Sequence, residues 1–364
     1  MIRFTTAALA LLASAATLCA QPVLCTDEFD DAGWSGALWG NERGNWQLFG
    51  GVYGAISPTN MPPTFTSLPW DLTDLEFECD VVGADDGGVW LHADDDGLNG
   101  VLLVTARGSV YWHNMVNGDA GAAINQANGV YTVGSTIHIR AVVSGDSYSA
   151  YVNGNLVTTH TYTSRPSGRV GLYDFRHPGH NYDNIVLRGV CASGDCCPVA
   201  HVAQGVSICP GASGTLHARI AGSAGTAVRW QAENPGQPGQ WNDLVEGEHA
   251  GFGATFTGVQ TSDLLVQSGT SQGGPFVADV SLRCVAGNPC GASESQPVIA
   301  EFLACCPDVN QDGNVDQDDV TYLINVVGGG ENPAGIDPDF NADGNVDQDD
   351  VSALINTVGG GGCP

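Results

Sequence analysis

The chain of 364 residues contains no lysine, and its eleven arginines face forty acidic side chains. A deficit of cations on this scale excludes nucleic acid as a partner and excludes attraction to anionic membranes, because both need clustered positive charge against phosphate. Long apolar runs are also missing. Beyond residue 20 no stretch approaches the roughly 18 apolar residues that cross a bilayer, so membrane insertion is excluded for the remainder. Acidity of this degree often accompanies disorder, but 43% of residues are hydrophobic and eight are tryptophan, enough to build sizeable cores.

The one apolar run is at the start. Residues 1–20, MIRFTTAALALLASAATLCA, combine one cation at Arg3, no acidic residue and a small-residue end before Gln21, the pattern of a cleavable export signal. The expected location is therefore secreted, extracellular or at the cell surface. Twelve cysteines, one of them inside that signal, fit an oxidising compartment and disulfide-stapled modules. Their odd number after cleavage leaves at least one thiol unpaired or joined to another chain.

Two cysteine doublets, Cys196-Cys197-Pro198 and Cys305-Cys306-Pro307, punctuate the chain and divide it into modules at 24–190, 198–304 and 306–364. The first two read as β throughout. In the first, strands are expected near 48–56, 75–82, 87–92, 99–106, 109–115, 136–143, 147–152, 155–161, 169–174 and 182–188. Arg107-Gly108 and Asn153-Gly154 supply two-residue hairpin turns between them. So many short antiparallel strands in about 165 residues imply a two-sheet sandwich. In the second module GTLHARI, AVRWQAE, GATFTGV, DLLVQSG and DVSLRCVAG alternate in the same way.

The third module is repetitive. Asp308-Val-Asn-Gln-Asp-Gly-Asn-Val-Asp-Gln-Asp-Asp319 aligns without a gap to Asp339-Phe-Asn-Ala-Asp-Gly-Asn-Val-Asp-Gln-Asp-Asp350. Oxygen-bearing side chains stand at positions 1, 3, 5, 9 and 12 and glycine at 6, a spacing that wraps oxygens around one calcium ion, with position 7 offering its carbonyl. The expected ligands are Asp308, Asn310, Asp312, Asn314, Asp316 and Asp319, then Asp339, Asn341, Asp343, Asn345, Asp347 and Asp350, for two ions in all. Gly313 and Gly344 permit the bend. Val320, Leu323, Ile324 and Val327, and likewise Val351, Leu354, Ile355 and Val358, fall at helical spacing and predict one exit helix per loop, ended by the glycine runs.

Loop plus exit helix, repeated after a linker, resembles the type I dockerin. That resemblance implies a cohesin-like protein partner, met through loop positions 10 and 11, here Gln317-Asp318 and Gln348-Asp349. The order DEFDD, GGVYGA, LTDLEFECDV, GGVWLHADDDG, GVLLVTARGSVYW, SGRVGLYDF and YDNIVL in the first module resembles the concanavalin A-like lectin/glucanase superfamily in its laminin-G-like branch. The second module resembles a bacterial immunoglobulin-like spacer, for which Cys209 with Cys290 is the expected staple. The fold class is thus mainly β: a jelly-roll sandwich, an immunoglobulin-like sandwich, then a small helical dockerin-like module.

Two kinds of site are candidates in the first module. Glu76, Glu78 and Asp80 share one face of a strand, and the glucanase resemblance casts Glu76 as nucleophile and Asp80 as acid. Yet residues i and i+4 of a strand lie about 13 Å apart, against the roughly 5 to 5.5 Å that a retaining pair requires. Trp90 with His92, and Tyr111 with His113, offer aromatic faces with polar neighbours, which suit the C–H faces of a sugar ring and equally suit a core. A further calcium ion is a possibility here, at Glu28 with Asp183 or at Asp94-Asp95-Asp96, while His177 and His180 read as a surface loop. The leading function is non-catalytic binding of a polysaccharide or surface glycan. Its rivals are a glycoside hydrolase of polysaccharide catabolism and a structural adhesion protein.

Overall fold

The computed structural model describes residues 21–175, 179–249, 251–268, 279–303, 305–312 and 314–364. The expected export signal, His177 and Gly313 lie outside the described residues. No helix among the described residues is long and apolar enough to cross a membrane. The described residues form two compact units, one of residues 21–28 and 41–194, the other of 29–40 and 195–364.

The first unit is a sandwich of an eight-stranded and a seven-stranded sheet. At the centre of the larger sheet Leu72–Val82 lies between Ile137–Ser144 and Asn181–Cys191, antiparallel to both. Its alternation decides its orientation: Leu75, Phe77, Cys79 and Val81 are all buried, leaving Glu76, Glu78 and Asp80 on the opposite face. The smaller sheet runs Ile124–Ala127, Ser109–Met115, Gly100–Ala106, Gly87–Ala93, Arg169–Asp174, Phe65–Ser67 and Gly40–Arg43. Its inner face carries Val89, Leu103 and Trp112, which oppose one another across the strands. Trp112 reaches the other sheet, its indole N–H donating to Thr158 Oγ1 at 3.3 Å. The hairpins form at Arg107-Gly108 and Asn153-Gly154, where φ is 51° and 82°, then 49° and 81°. Two consecutive left-handed residues match the right-handed twist of the strands they join.

The second unit contains a further two-sheet sandwich, with sheets of five and six strands. Trp230, Leu282, Phe256, Leu264 and Val266 form its core. Residues 29–40, expected within the first module, belong to this unit. They carry a short helix, Ala32–Leu38, whose first turn is capped by Asp31 Oδ1 accepting from Gly33 and Trp34 amides at 2.9 and 3.1 Å. Arg219 lies 4.9 Å over the buried Trp34 ring.

Cys209 does not pair with Cys290. The strand Val206–Ile208 runs parallel to Val298–Phe302, which carries Cys209 toward the doublet after Phe302. Cys209 therefore bonds Cys306, while Cys290, in the turn after Val280–Asn288, bonds Cys197. Cys305 closes on Cys363, clasping the two ends of the last module. Cys25, Cys79 and Cys284 are free thiols, all buried. In that module Gln317–Val327 and Gln348–Val358 are the helices. Val320, Leu323, Val351 and Leu354 pack together with Val309. Ile324 and Ile355, expected on the buried stripe, are instead 53% and 52% exposed. The inner stripe is narrower than the sequence pattern: it faces the other helix, Val309 and the partly buried Ile336 and Phe340, and these leave the Ile324 and Ile355 side of each helix uncovered.

Candidate functional site

The outer face of the smaller sheet is apolar. Register places Trp90, Leu102 and His113 side by side, then Gly88, Val104 and Tyr111, with Tyr173 beside Gly88. A cleft of about 290 Å³ opens over this face, floored by Leu102, Val104, Tyr111, His113, Met115 and Tyr173 and rimmed by Asn60, Met61, Asp86 and Asp119. Tyr111 and His113, both candidate glycan contacts, stand in this floor with their rings 5.2 Å apart and perpendicular. His113 Nδ1 donates to Ala122 O at 3.2 Å. Burial pushes its pKa below the ordinary histidine value, so at neutral pH the ring is uncharged and Nε2 is left as an acceptor.

Trp90 and His92 are fully buried and line no surface. Trp90 lies beneath the cleft, edge-on to Phe65 and Tyr173, with its N–H donating to Thr64 O at 3.2 Å. His92 leaves that face altogether. Its φ of 48° interrupts the alternation and turns the ring into the sandwich, where Nδ1 meets Tyr148 O–H at 2.9 Å and Nε2 meets Thr73 O at 3.0 Å.

The carboxylates on Leu72–Val82 are each engaged by side chains of the neighbouring strands. Glu76 pairs with Arg140 at 2.7 Å and Arg188 at 3.2 Å; Glu78 pairs with Arg188 at 2.5 Å and His138 at 3.2 Å; Asp80 meets His138 at 2.8 Å and Asn184 Nδ2 at 2.9 Å. Burial opposes ionisation of Glu78, but the hydrogen bonds from Arg188 and His138 outweigh it and hold its carboxyl below the usual range. Of the two residues cast as nucleophile and acid, Glu76 is held by Arg140 and Arg188 and Asp80 by His138 and Asn184, so both are engaged within the sheet.

The acidic turn at residues 94–96 is likewise satisfied internally. Asp94 accepts from Leu98 and Asn99 amides at 3.0 Å each, and Arg169 stands 3.3 Å from Asp95. Asp183 Oδ1 accepts from the Asn184 amide at 2.7 Å, and Glu28 is exposed. His180, expected on the surface, is buried.

In the last module both loops are wound by their own side chains. Asp312 N–H donates to Asp308 Oδ1 (3.2 Å) and Asn310 Oδ1 (2.9 Å), and Asn314 N–H to Asp312 Oδ1 (2.8 Å). The second loop repeats this at Asp343, with donors to Asp339 Oδ1 (3.1 Å) and Asn341 Oδ1 (2.9 Å), and at Asn345 to Asp343 Oδ1 (2.8 Å). Position 12 binds both arms: Asp319 accepts from Asn310 and Asp316 amides at 3.1 and 2.9 Å, Asp350 from Asn341 and Asp347 at 3.1 and 2.8 Å. Asp319 and Asp350 are completely buried, and with Asp316 and Asp347 they form a capping box on each helix. Gly344 supplies the bend with φ 89°. Among the described residues no three acidic, histidine or cysteine side chains close tightly on a common centre. The donor set is nevertheless all oxygen, of the hard type that calcium selects.

Residues 307–359 match the family described as Dockerin type I domain, and dockerin is what this part of the chain is. No curated protein matches the sequence. Among solved structures, carbohydrate binding module CBM66 from Bacillus subtilis is 20% identical, covering 44% of this chain and 98% of that one, with a TM-score of 0.38. A Bacillus licheniformis β-glucanase is 14% identical over 45% and 97%, with a TM-score of 0.34. A Bacillus subtilis protein of unknown function with a galectin-like fold is 9% identical over 47% and 97%, with a TM-score of 0.40.

Proposed function

We propose that this chain is a secreted, non-catalytic polysaccharide- or glycan-binding protein whose sandwich holds the ligand in the cleft over Leu102 and Val104 and whose dockerin domain attaches it to a cohesin-type partner. The observation that carries the reading is the cleft itself: aromatic and aliphatic side chains make a floor on which a sugar's C–H face can stack, and carboxylates and amides at the rim can accept or donate to its hydroxyls. The ion pairs over Glu76, Glu78 and Asp80 favour binding over hydrolysis.

For the dockerin domain, the proposed calcium ligands are the twelve residues named from the loop spacing. Type I dockerin domains bind calcium in general, and the winding of both loops around positions 1, 3, 5 and 12 supports the same here. Bound calcium neutralises carboxylates that otherwise repel one another and so stabilises the fold around them. The exposed Ile324 and Ile355, at equivalent places on the two helices, support docking of a partner on either repeat.

Affinity electrophoresis of the full chain through gels containing single polysaccharides tests the binding reading. Retardation by at least one polysaccharide, lost in Tyr111→Ala, is expected; unretarded migration through every gel refutes it.

A further inference from the structure

Resting on that reading, we propose that the cleft selects uncharged sugars and rejects uronate-, sulfate- or sialate-bearing ones. Its described lining contains two carboxylates, Asp86 and Asp119, and neither lysine nor arginine. Asp119 is exposed, its Oδ1 taking the Gly121 amide at 3.1 Å. The one imidazole in the floor, His113, is neutral for the reason given above. An entering ligand therefore meets apolar surface and negative charge, and the groups it needs in order to bind are C–H faces and O–H donors.

Apart from Arg107, the described arginines of this unit are committed elsewhere. Arg140 and Arg188 serve the glutamates on the other sheet, Arg165 and Arg169 stand by Asp94 and Asp95, and Arg43 donates to the carbonyls of Pro63, Asp96 and Gly97. Arg107 comes nearest in effect. Burial raises the Tyr111 phenol above its ordinary value, and of the two charges acting on it Asp86 outweighs Arg107. Among the described residues, then, the charges nearest the floor of the cleft are the carboxylates of Asp86 and Asp119. The net charge of −29 adds a longer-range repulsion of the same sign.

Matched ligands separate the charge from the sugar. The full chain is run through gels of hydroxyethyl cellulose against carboxymethyl cellulose, polygalacturonate against its carboxyl-reduced form, and dextran against dextran sulfate. In every pair that binds, the neutral member is expected to bind at least tenfold more tightly at low salt. Added salt narrows the gap, as does Asp86→Asn/Asp119→Asn, checked for folding by its thermal melt. Equal or stronger binding of a charged member, lost in Tyr111→Ala, overturns the selectivity and leaves glycan binding standing. A gap that neither salt nor the double variant alters overturns the electrostatic cause. Failure of all six to retard the protein removes the glycan-binding reading, and the selectivity with it.

Discussion

Replacing Asp174 by Asn is expected to stabilise the sandwich at neutral pH, by an amount that vanishes in acid. Asp174 ends its strand with the side chain fully buried, and among the described residues neither carboxyl oxygen has a hydrogen-bond partner. The Phe175 amide beside it is spent on Asp86 O at 3.0 Å. Burial, reinforced by the charges of Asp86 and Asp85, raises its pKa from 3.8 to about 8. The folded form then keeps a proton that the unfolded chain releases above pH 3.8, so stability is full below that pH and falls as pH rises toward 8. At pH 7 the gap is about 3 pH units, which at about 1.4 kcal/mol per unit is about 4 kcal/mol. Across the same end of the sandwich, a Cβ on Gly87, the strand partner of Asp174, would strike the ring of His180. His180 is buried and its pKa is lowered to about 3, so its own contribution rises with pH between about 3 and 6.5. The two slopes oppose each other up to about pH 6.5, above which only the loss from Asp174 remains. Urea unfolding of the full chain and of Asp174→Asn, followed by tryptophan fluorescence from pH 3.5 to 8.5, measures the difference. If the variant is no more stable than the parent at pH 7.5, or if its advantage persists unchanged at pH 3.5, burial does not hold this carboxyl neutral.

Three other outcomes follow from the same structure. Chelation of calcium should reduce helical circular dichroism from Gln317–Val327 and Gln348–Val358 while the β signal stays, and an unchanged helix signal counts against metal-ordered loops. Arg188→Met leaves Glu76 and Glu78 short of a shared partner and should cost about 1 kcal/mol in urea unfolding, with Glu78 moving up toward an ordinary carboxylate pKa by NMR titration; no movement of Glu78 would show that His138 alone holds it. Because Cys305–Cys363 joins the ends of the dockerin domain, Cys305→Ser/Cys363→Ser should raise the calcium concentration needed for half-maximal helix in a titration, and an unaltered midpoint would show that the clasp is idle.

Strands were readable where one face of the chain is buried and the other is wet. Leu72–Val82 alternates, and its position and orientation agree with the pattern at 75–82; Gly87–Ala93 and Gly100–Ala106, buried on both faces, are still legible as short apolar runs bounded by glycine and by the turn at Arg107-Gly108. The short pieces Gly40–Arg43, Phe65–Ser67 and Ile124–Ala127 carry too few residues for any period to show. The helix Ala32–Leu38 was missed although Asp31 is a good cap, because two glycines interrupt its seven residues and its burial depends on residues far along the chain.

Local spacing determines much of the dockerin domain: the repeated oxygens, the capping boxes and the two exit helices arise from residues within about twenty positions of one another, where chain geometry alone brings them together. The same logic holds for the hairpins and for the inward face of the central strand. Only the tertiary structure decided which cysteine meets Cys209, that His92 turns inward while Tyr111 and His113 remain at a cleft, and that Arg140 and Arg188 neutralise the glutamates beside them. The disulfide spans 97 residues of sequence and the ion pairs 64 to 112, and a side chain's chemistry does not record which partner the sheet will place opposite it.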